Sequence, residues 1–191
     1  MANIVEPIKD LRKISAMKKI LRAGNLRNEV IFILGINTAL HISDMLALSV
    51  GDVTEKHGKI RSELSIKEQK TGEIKTCVLN RASRTALEEY IKTLNGGEIS
   101  PQSPLFPGVR KRIICREQVW RILSKAGRRV GLEHIGIHTL RKTFGYHVYK
   151  RSNGNLALVQ KLLNHSSSGD TLRYIGVDKE QMDNAYLDFN L

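Results

Sequence analysis

Hydrophobic residues recur at helical spacing over the first fifty residues of the chain. A basic amphipathic helix is predicted from about residue 8 to residue 22, because its apolar positions fall on one face. Asn25 is a suitable N-terminal cap for a second helix, and Ser43 for a short third one. Gly51 and Asp52 are predicted to break the chain after this third helix.

An alternating pattern of apolar and polar residues follows and is typical of strands. Leu64 and Ile66 fall on one parity of the first run, and residues 74–79 form a second run. Thr71 and Gly72, between the two runs, favour a turn. The pattern therefore predicts a β-hairpin with its turn near residue 70.

Helical spacing returns after the hairpin. Asn80 and Asn155 are suitable caps for two helices, and Asp178 for the last one, while residues 101–107 form a proline-rich loop. The apolar positions of the predicted helices are Leu87, Tyr90, Ile91 and Leu94; Val119, Leu123 and Ala126; Leu140, Phe144 and Val148; and Leu156 to Leu163. The predicted fold class is mainly α with a small antiparallel β-sheet (α+β).

The chain carries a large positive charge. Its 191 residues include 31 Lys and Arg against 19 Asp and Glu, so the formal net charge is +12. A domain this basic usually binds a polyanion. Two alternatives stay open on charge alone: a solubilising surface, and an RNA-binding protein with the same balance. The charge therefore indicates a class of partner and no particular chemistry.

Cysteine content and hydropathy favour an ordinary cytoplasmic domain. Cys77 and Cys115 are the only cysteines and form no C-x-x-C pair, so a cysteine zinc site is not expected. No run of apolar residues approaches the length of about 18 residues that a membrane span needs. Residues 1–7 have no apolar signal-peptide core, and a cytoplasmic location is the expectation.

Three short motifs between residues 138 and 174 carry the strongest functional signal. His138 and Arg141 stand three apart on a predicted helix, so their side chains project from one face. An arginine fork and an imidazole on one face can hold a single phosphate group. The second motif, Leu-Leu-Asn-His, ends at His165, and the third ends at Tyr174 nine residues later.

Together these motifs resemble the signature of the tyrosine recombinases, the phage integrase family. The family's first box is similar to residues 38–48, which read Thr-Ala-Leu-His-Ile-Ser-Asp-Met-Leu-Ala-Leu. The family's lysine lies in a β-hairpin turn, where this chain has Lys70 in Glu-Gln-Lys-Thr-Gly. The boxes run in the family's order from about residue 30 to residue 176. The resemblance implies the catalytic-domain fold of the tyrosine recombinases.

The resemblance implies a transesterification on DNA. Tyr174 attacks a phosphodiester and holds the 3′ end as a phosphotyrosine ester, which releases a 5′ hydroxyl. Arg141 neutralises the charge of the pentacoordinate intermediate, and His138 is the implied base for the phenol. Lys70 protonates the leaving oxygen, and His165 hydrogen-bonds a non-bridging oxygen. Because the bond energy is kept, neither ATP nor a metal ion nor another cofactor is implied.

One residue departs from the family in the first box. The family has an arginine where this chain has His41, and that arginine grips the scissile phosphate together with the arginine of the H-x-x-R motif. Histidine is shorter and mostly neutral at pH 7, and loss of one transition-state donor costs about 10²–10³ in rate. Greatly reduced cleavage is therefore expected. Three explanations stay open: a decayed or regulatory homologue, an introduced substitution that traps a complex, and a partly protonated, partly competent His41.

The resemblance also implies an arrangement on DNA. Residues 1–191 are expected to be a single catalytic domain, with the family's N-terminal core-binding domain, which clamps DNA, absent. The expected partner is double-stranded DNA, with self-association into a dimer or tetramer on it, in the cytoplasm at the nucleoid. The alternative function is a catalytically inactive DNA-binding or regulatory homologue on the same fold. A type IB topoisomerase-like nicking enzyme is disfavoured by the chain length and the first box.

Four residues near the motifs have more ordinary expected roles. Asn164 takes the place of the Gly that the family usually has before the histidine of the Leu-Leu-x-His motif, which could alter the turn before His165. Trp120 is expected in the core rather than stacked on a base. Tyr186 is expected to pack the last helix, although the C-terminal tail could equally dock on a neighbouring protomer. His134 and His138 stand four apart, but no third ligand stands at a zinc-motif distance.

Overall fold

The structure is a computed structural model that describes residues 5–69, 72–94, 100–108, 113–177 and 186–187. The main elements within these ranges are, in chain order, α1 (Leu11–Gly24), α2 (Leu26–Thr38), α3 (Ile42–Leu46), α4 (Val50–Val53), β1 (Glu63–Lys67), β2 (Ile74–Val78), α5 (Arg81–Leu94), α6 (Arg116–Arg129), α7 (Ile137–Arg151), α8 (Leu156–Leu162) and α9 (Ser168–Ile175). None of the described helices combines the length and the apolar character that crossing a bilayer requires.

Side-chain caps fix the starts of several helices. Asn25, Asn80 and Asn155 accept backbone N–H groups in the first turns of α2, α5 and α8, so all three predicted caps are confirmed. Ser167 caps α9 in the same way, a helix that the sequence pattern did not reveal. The predicted cap at Asp178 lies outside the described residues.

The first box folds differently from the prediction. Helix α3 begins directly after His41, so Ser43 lies inside the helix and does not cap it. The predicted break at Gly51 and Asp52 is also wrong, because both residues lie in α4. Ser49 caps α4 reciprocally: its hydroxyl accepts the N–H of Asp52, and the Asp52 carboxylate accepts the N–H of Ser49 at 2.7 Å. This capping box offsets the low helix propensity of glycine.

Strands β1 and β2 pair antiparallel and form the predicted hairpin. Leu64 lies opposite Cys77, and Ile66 lies opposite Lys75. Because opposite residues share one face of a sheet, Lys75 and Cys77 are on the inner face with the buried Leu64. Val78 is consequently on the outer face, where it is 72% exposed. The register therefore turns a lysine inward and leaves a valine in solvent.

Two glycines let the helices that carry the site pack closely. A Cβ at Gly35 of α2 would lie 2.5 Å from Leu140 Cδ1 of α7, so only glycine allows this approach. A Cβ at Gly145 of α7 would lie 2.7 Å from Ile175 Cγ2 of α9. The first contact belongs to the main core, and the second to a smaller cluster of α7, α8 and α9. The smaller cluster positions α9 against α7.

Trp120 does not lie in the core. Val119 and Leu123 occupy the inward face of α6, and Trp120 projects from the other side with 51% of its surface exposed. A helix has 3.6 residues per turn, so a residue next to a core position points well away from it. The expected core role of Trp120 is wrong, while the predicted mainly α fold with a small antiparallel sheet is confirmed.

Candidate active site

Arg141 is the most buried of the predicted site residues that the structure describes, with 4% of its surface exposed. It projects from α7 and donates hydrogen bonds to the backbone oxygens of Ala39 and Leu163. Ala39 ends α2 in a left-handed conformation with φ 56°, and Leu163 ends α8. One guanidinium therefore joins the C-terminal ends of two helices, where the partial negative charge of the helix favours a cation.

Tyr174 lies on α9, half-buried in the smaller cluster. Its ring meets the His165 ring edge-on, with centroids 4.8 Å apart and an interplanar angle of 88°. The Lys142 ammonium lies 5.0 Å from the centroid of the same ring. Burial raises the pKa of the Tyr174 phenol, and the Arg141 guanidinium opposes this through its charge and hydrogen bonding. The tyrosine thus has a cation at its hydroxyl and another at its ring.

The hydrogen bonds of His165 define its neutral tautomer. Nδ1 lies 3.2 Å from Thr171 Oγ1, and the Thr171 hydroxyl donates to the Ser167 backbone oxygen at 2.8 Å. Because Thr171 has used its only hydroxyl proton, Nδ1 carries the imidazole proton and donates it. Burial and then the charge of Arg141 lower the pKa of His165, while Asp170 raises it. Nε2 is therefore an acceptor at neutral pH and becomes a donor only on protonation.

Asn164, which replaces the usual glycine before His165, preserves the turn. Its φ is 48°, in the left-handed region that glycine adopts freely and that asparagine tolerates better than most residues. Its backbone N–H donates to the Lys161 oxygen at 3.1 Å. The departure from the family's glycine therefore keeps the backbone path that leads to His165.

His138 opens α7 on the same side as Arg141 but is exposed. Gly136 is the N-cap residue of this helix, so His138 does not cap it. Partial desolvation lowers the pKa of His138, and the charges of Arg116 and Lys142 act in the same direction. The ring is therefore neutral at pH 7 and can accept a proton.

His41 is half-buried at the N-terminal end of α3 and makes no side-chain capping bond. Desolvation lowers its pKa first, and the charge of Arg141 lowers it further. The buried carboxylates Glu68 and Asp44 oppose this shift without reversing it. His41 is thus in the electrostatic surroundings of Arg141, and its ring is neutral at pH 7.

Lys75 also lies within the electrostatic influence of Arg141, although none of the sequence motifs pointed to it. Its Nζ lies 3.0 Å from the Leu162 oxygen, 3.5 Å from the Ala39 oxygen and 3.7 Å from Glu68 Oε1. Lys75 and Arg141 therefore share Ala39 as an acceptor. The signal that would have found it is the hairpin register, since Lys75 faces inward only because it pairs with Ile66.

Lys70, the predicted hairpin lysine, lies outside the described residues. The nearby end of β1 is held close to the first box, because the backbone N–H of Gln69 donates to Asp44 Oδ1 at 3.2 Å. On the other side of the turn, Gly72 has a φ of 74° and donates its N–H to the Glu68 oxygen at 2.8 Å. The hairpin end is therefore tied to α3, which follows His41.

Among the described residues, no group of three or more His, Cys, Asp and Glu side chains is arranged to hold a metal ion. Cys77 and Cys115 are free thiols, the first half-buried and the second exposed. Arg141 reaches the ends of α2 and α8, and His165 packs on Tyr174 of α9. His41 lies within the electrostatic influence of Arg141, and His138 stands at the exposed start of α7.

These features together define the catalytic-domain architecture of a tyrosine recombinase: a helical domain with one hairpin, in which a buried arginine meets a half-buried tyrosine and a histidine. The chain belongs to the phage integrase family, whose sequence model matches residues 8–181.

Two sequence relatives differ in how much of their length this chain spans. The protein named "Probable integrase/recombinase YoeC" of Bacillus subtilis is 43% identical over 185 residues, which are 96% of this chain and 96% of that protein. The tyrosine recombinase XerC of Roseiflexus sp. is 28% identical over 157 residues, which are 80% of this chain and 48% of that protein. The chain thus matches nearly all of the first relative and about half of the second.

Solved structures of recombinases share the fold. XerA recombinase superposes with a TM-score of 0.74 at 17% identity, over 97% of this chain and 66% of that one. XerH site-specific recombinase in a post-cleavage complex with a palindromic difH substrate gives 0.73 at 19% identity, over 93% and 51%. A lambda integrase tetramer bound to a Holliday junction gives 0.65 at 17% identity, over 91% and 49%.

Proposed function

We propose that this protein is a site-specific DNA recombinase that cleaves and rejoins DNA through a 3′-phosphotyrosine intermediate formed on Tyr174. The observation that carries the proposal is the packing of Tyr174 against the His165 ring, within the electrostatic influence of Arg141, a buried permanent cation. A phenol beside a phosphate-binding arginine is suited to in-line attack on a phosphodiester. Membership of the phage integrase family supports the same reaction.

The proposed step is a balanced exchange of esters. The Tyr174 hydroxyl loses its proton and its oxygen bonds to phosphorus, while the bond from phosphorus to the 5′ oxygen breaks. His138, neutral and exposed at the start of α7, takes the proton. Lys70 returns a proton to the leaving 5′ oxygen. Because one phosphate ester replaces another, the reverse reaction by a 5′ hydroxyl rejoins the strand without ATP.

Arg141 and His165 act on the non-bridging oxygens of the phosphate. Arg141 neutralises the charge of the pentacoordinate intermediate, and its two backbone carbonyl partners keep it oriented. His165 donates through Nε2, which requires its protonated form because Nδ1 already donates to Thr171. His41 occupies the position of the family's first-box arginine and contributes little charge at neutral pH, so cleavage is slow.

Double-stranded DNA is the proposed substrate, and the protein self-associates on it as a dimer or tetramer in the cytoplasm, at the nucleoid. The net charge of +12 supports a polyanionic partner. XerH bound to difH and the lambda integrase tetramer on a Holliday junction are recombinases of the same fold bound to DNA. Residues 1–191 act in this proposal as one catalytic domain.

A second candidate function is DNA binding without chemistry, on the same fold. One observation favours it: His41 is neutral where the family has a permanently charged arginine. Such a protein would occupy recombination sites or regulate a competent partner.

A nicked suicide duplex separates the two functions. We would incubate the protein with a pool of candidate sites from the neighbouring genome and look for a covalent protein–DNA adduct on a denaturing gel. An adduct that Tyr174→Phe abolishes supports the recombinase. DNA binding with no adduct, even from His41→Arg, supports the non-catalytic binder instead. Tyr90→Phe is the matched control, because Tyr90 lies in the main core outside the motifs and loss of its hydroxyl is expected to leave the adduct unchanged.

A further inference from the structure

Tyr174 is held from more than one side by groups of different charge. From α7, the Arg141 guanidinium meets the phenol and the Lys142 ammonium lies 5.0 Å from the ring centroid. From the segment after α8, the His165 ring packs edge-on at 4.8 Å. Arg173, the residue before it on α9, is instead paired with a carboxylate on the solvent side. The permanent charges at this tyrosine therefore come from two consecutive residues of α7.

Lys142 is not a solvent-exposed side chain beside the Tyr174 ring. Its side chain is half-buried, and burial lowers its pKa while the charge of Glu6 raises it. A cation within about 6 Å of an aromatic centroid is attracted to the ring face, more strongly when it is partly desolvated. Successive residues of a helix point about 100° apart. Arg141 and Lys142 can therefore hold the hydroxyl and the ring of Tyr174 at once.

We propose that Lys142 is a positioning residue for the nucleophile, which holds the Tyr174 ring by its face and stabilises the phenolate as the hydroxyl proton leaves. This inference rests on the proposed function, in which Tyr174 attacks a phosphodiester. Lys142 transfers no proton and remains an ammonium: the phenol proton goes to the base, the phenolate oxygen bonds to phosphorus, and the 5′ oxygen leaves.

Lys142 lies close to the charge that forms when the Tyr174 phenol loses its proton. Deprotonation places a negative charge on Tyr174, part of which is delocalised over the ring beneath Lys142. An opposite charge at 4–6 Å typically lowers the pKa of an acidic group by about 1–3 units. Burial raises the pKa of Tyr174, so a second cation offsets a penalty that Arg141 only partly removes. Lys142 also adds a positive charge at neutral pH to a pocket in which His41 is neutral.

Other charged groups around Tyr174 act through its neighbours. Asp170 on α9 raises the pKa of His165, whereas Lys75 on β2 lowers it. Burial lowers the pKa of Arg141, and the charges of Glu68 at the β1 end and Asp44 on α3 oppose this. All of these groups are retained when Lys142 alone is replaced, so a change in the Tyr174 titration reports on Lys142.

The test is a direct titration of the phenol in the intact protein without DNA. Tyrosine labelled with ¹³C at Cζ is followed by NMR across alkaline pH, and Tyr174→Phe assigns the resonance. The pKa of Tyr174 is expected to be about one unit lower in Lys142→Arg than in Lys142→Met, because the guanidinium stays charged in the alkaline range, where the Lys142 ammonium, whose pKa burial lowers, also titrates. Lys142→Gln is a second variant without the charge, which keeps the test decisive if the methionine variant folds poorly.

Lys150→Met is the matched control. Lys150 lies on the same helix, with its ammonium 5.8 Å from the centroid of a different tyrosine, Tyr146. Its replacement removes one positive charge and one cation–ring contact, so the pKa of Tyr174 is expected to stay the same. An equal shift in both variants would mean that Lys142 acts only through net charge and would overturn the inference.

Adduct formation on the suicide duplex gives the second readout. In the Lys142→Met and Lys142→Gln variants the rate at neutral pH is expected to fall about tenfold, and Lys142→Arg, which keeps the positive charge, is expected to restore it. A merely structural role would leave Lys142→Met, which keeps the length of the side chain, as active as Lys142→Arg. The same Tyr174 pKa in Lys142→Arg as in Lys142→Met and Lys142→Gln refutes the inference whatever the activity. If the pKa of Tyr174 shifts but no variant forms an adduct, including His41→Arg, then Lys142 still acts on the phenol. The proposed function is refuted in that case.

Discussion

At the residue scale, His41 is neutral at pH 7 in the position where the family has a charged arginine. It precedes α3, in the electrostatic surroundings of Arg141, where burial and a neighbouring guanidinium both lower its pKa. Its ordinary pKa of 6.5 already leaves most histidines neutral at pH 7, and these two effects remove most of the remaining charge. The family's arginine would stay charged in the same position because guanidinium does not lose its proton in proteins.

Replacing His41 with arginine is expected to raise covalent adduct formation roughly tenfold or more, because the phosphate regains a second bidentate cation. The measurement is the rate of adduct formation on the suicide duplex with Tyr174 intact. His134→Arg adds the same charge at an exposed position and is expected to leave the rate unchanged. If the two variants behave alike, His41 does not face the phosphate.

At the scale of elements, the contact between α7 and α9 positions Tyr174, the proposed nucleophile, relative to Arg141 and Lys142. Gly145 of α7 packs against Ile175, the neighbour of Tyr174, and against Leu163 at the end of α8. The same α7 carries Arg141 and Lys142. A small shift of α9 along this interface would therefore move the phenol away from both cations at once.

Gly145→Ala is expected to cost about 1–3 kcal/mol in the free energy of unfolding, because its Cβ would overlap Ile175 Cγ2 at 2.7 Å and crowd Leu163 Cδ1 at 3.0 Å. Adduct formation should fall along with stability, since α9 must move. Urea unfolding and the adduct assay measure the two effects. Gly24→Ala, where nothing lies within 4 Å of the new Cβ, should leave adduct formation unchanged and stability equal or slightly higher. A Gly145→Ala protein as stable and active as the Gly24→Ala protein would contradict this packing.

At the scale of the whole molecule, partial burial of histidines couples stability to pH. Desolvation lowers the pKa of His41, His138, His147 and His165 below the ordinary value of 6.5. As the pH falls through 6.5, the unfolded chain therefore binds protons that the folded protein does not bind. The free energy of unfolding therefore decreases as the pH falls through 6.5. Well above pH 6.5, which is the pKa in the unfolded chain, this loss does not occur.

The free energy of unfolding is accordingly expected to decrease between about pH 7.5 and pH 5.5, a range in which ordinary carboxylates hardly titrate. Urea unfolding at a series of pH values measures it. His147→Gln removes one of the four histidines, whose Nε2 lies 2.9 Å from the Ile8 oxygen, and should make the dependence less steep. Stability that is flat or rises toward pH 5.5 would be incompatible with these lowered pKa values.

Local features of the fold were predictable from the sequence because their causes are local. The caps at Asn25, Asn80 and Asn155 depend on a side chain that reaches a backbone N–H two or three residues ahead. The hairpin follows from alternation and a glycine turn. Where a local signal had a competitor, the prediction failed: the Ser49 capping box kept Gly51 in a helix.

The sequence by itself determined the fold class, the family and the identity of the candidate site residues, since motif order and residue chemistry are properties of the chain. Only the tertiary structure decided the surroundings of those residues. It brought Lys75 and Lys142 into the site, although neither belongs to the motifs that identified it. It also tied Arg141 to two helix ends and fixed the His165 tautomer through Thr171. The physical reason is that burial and electrostatic interactions depend on distances between residues far apart in the chain, which no local pattern contains.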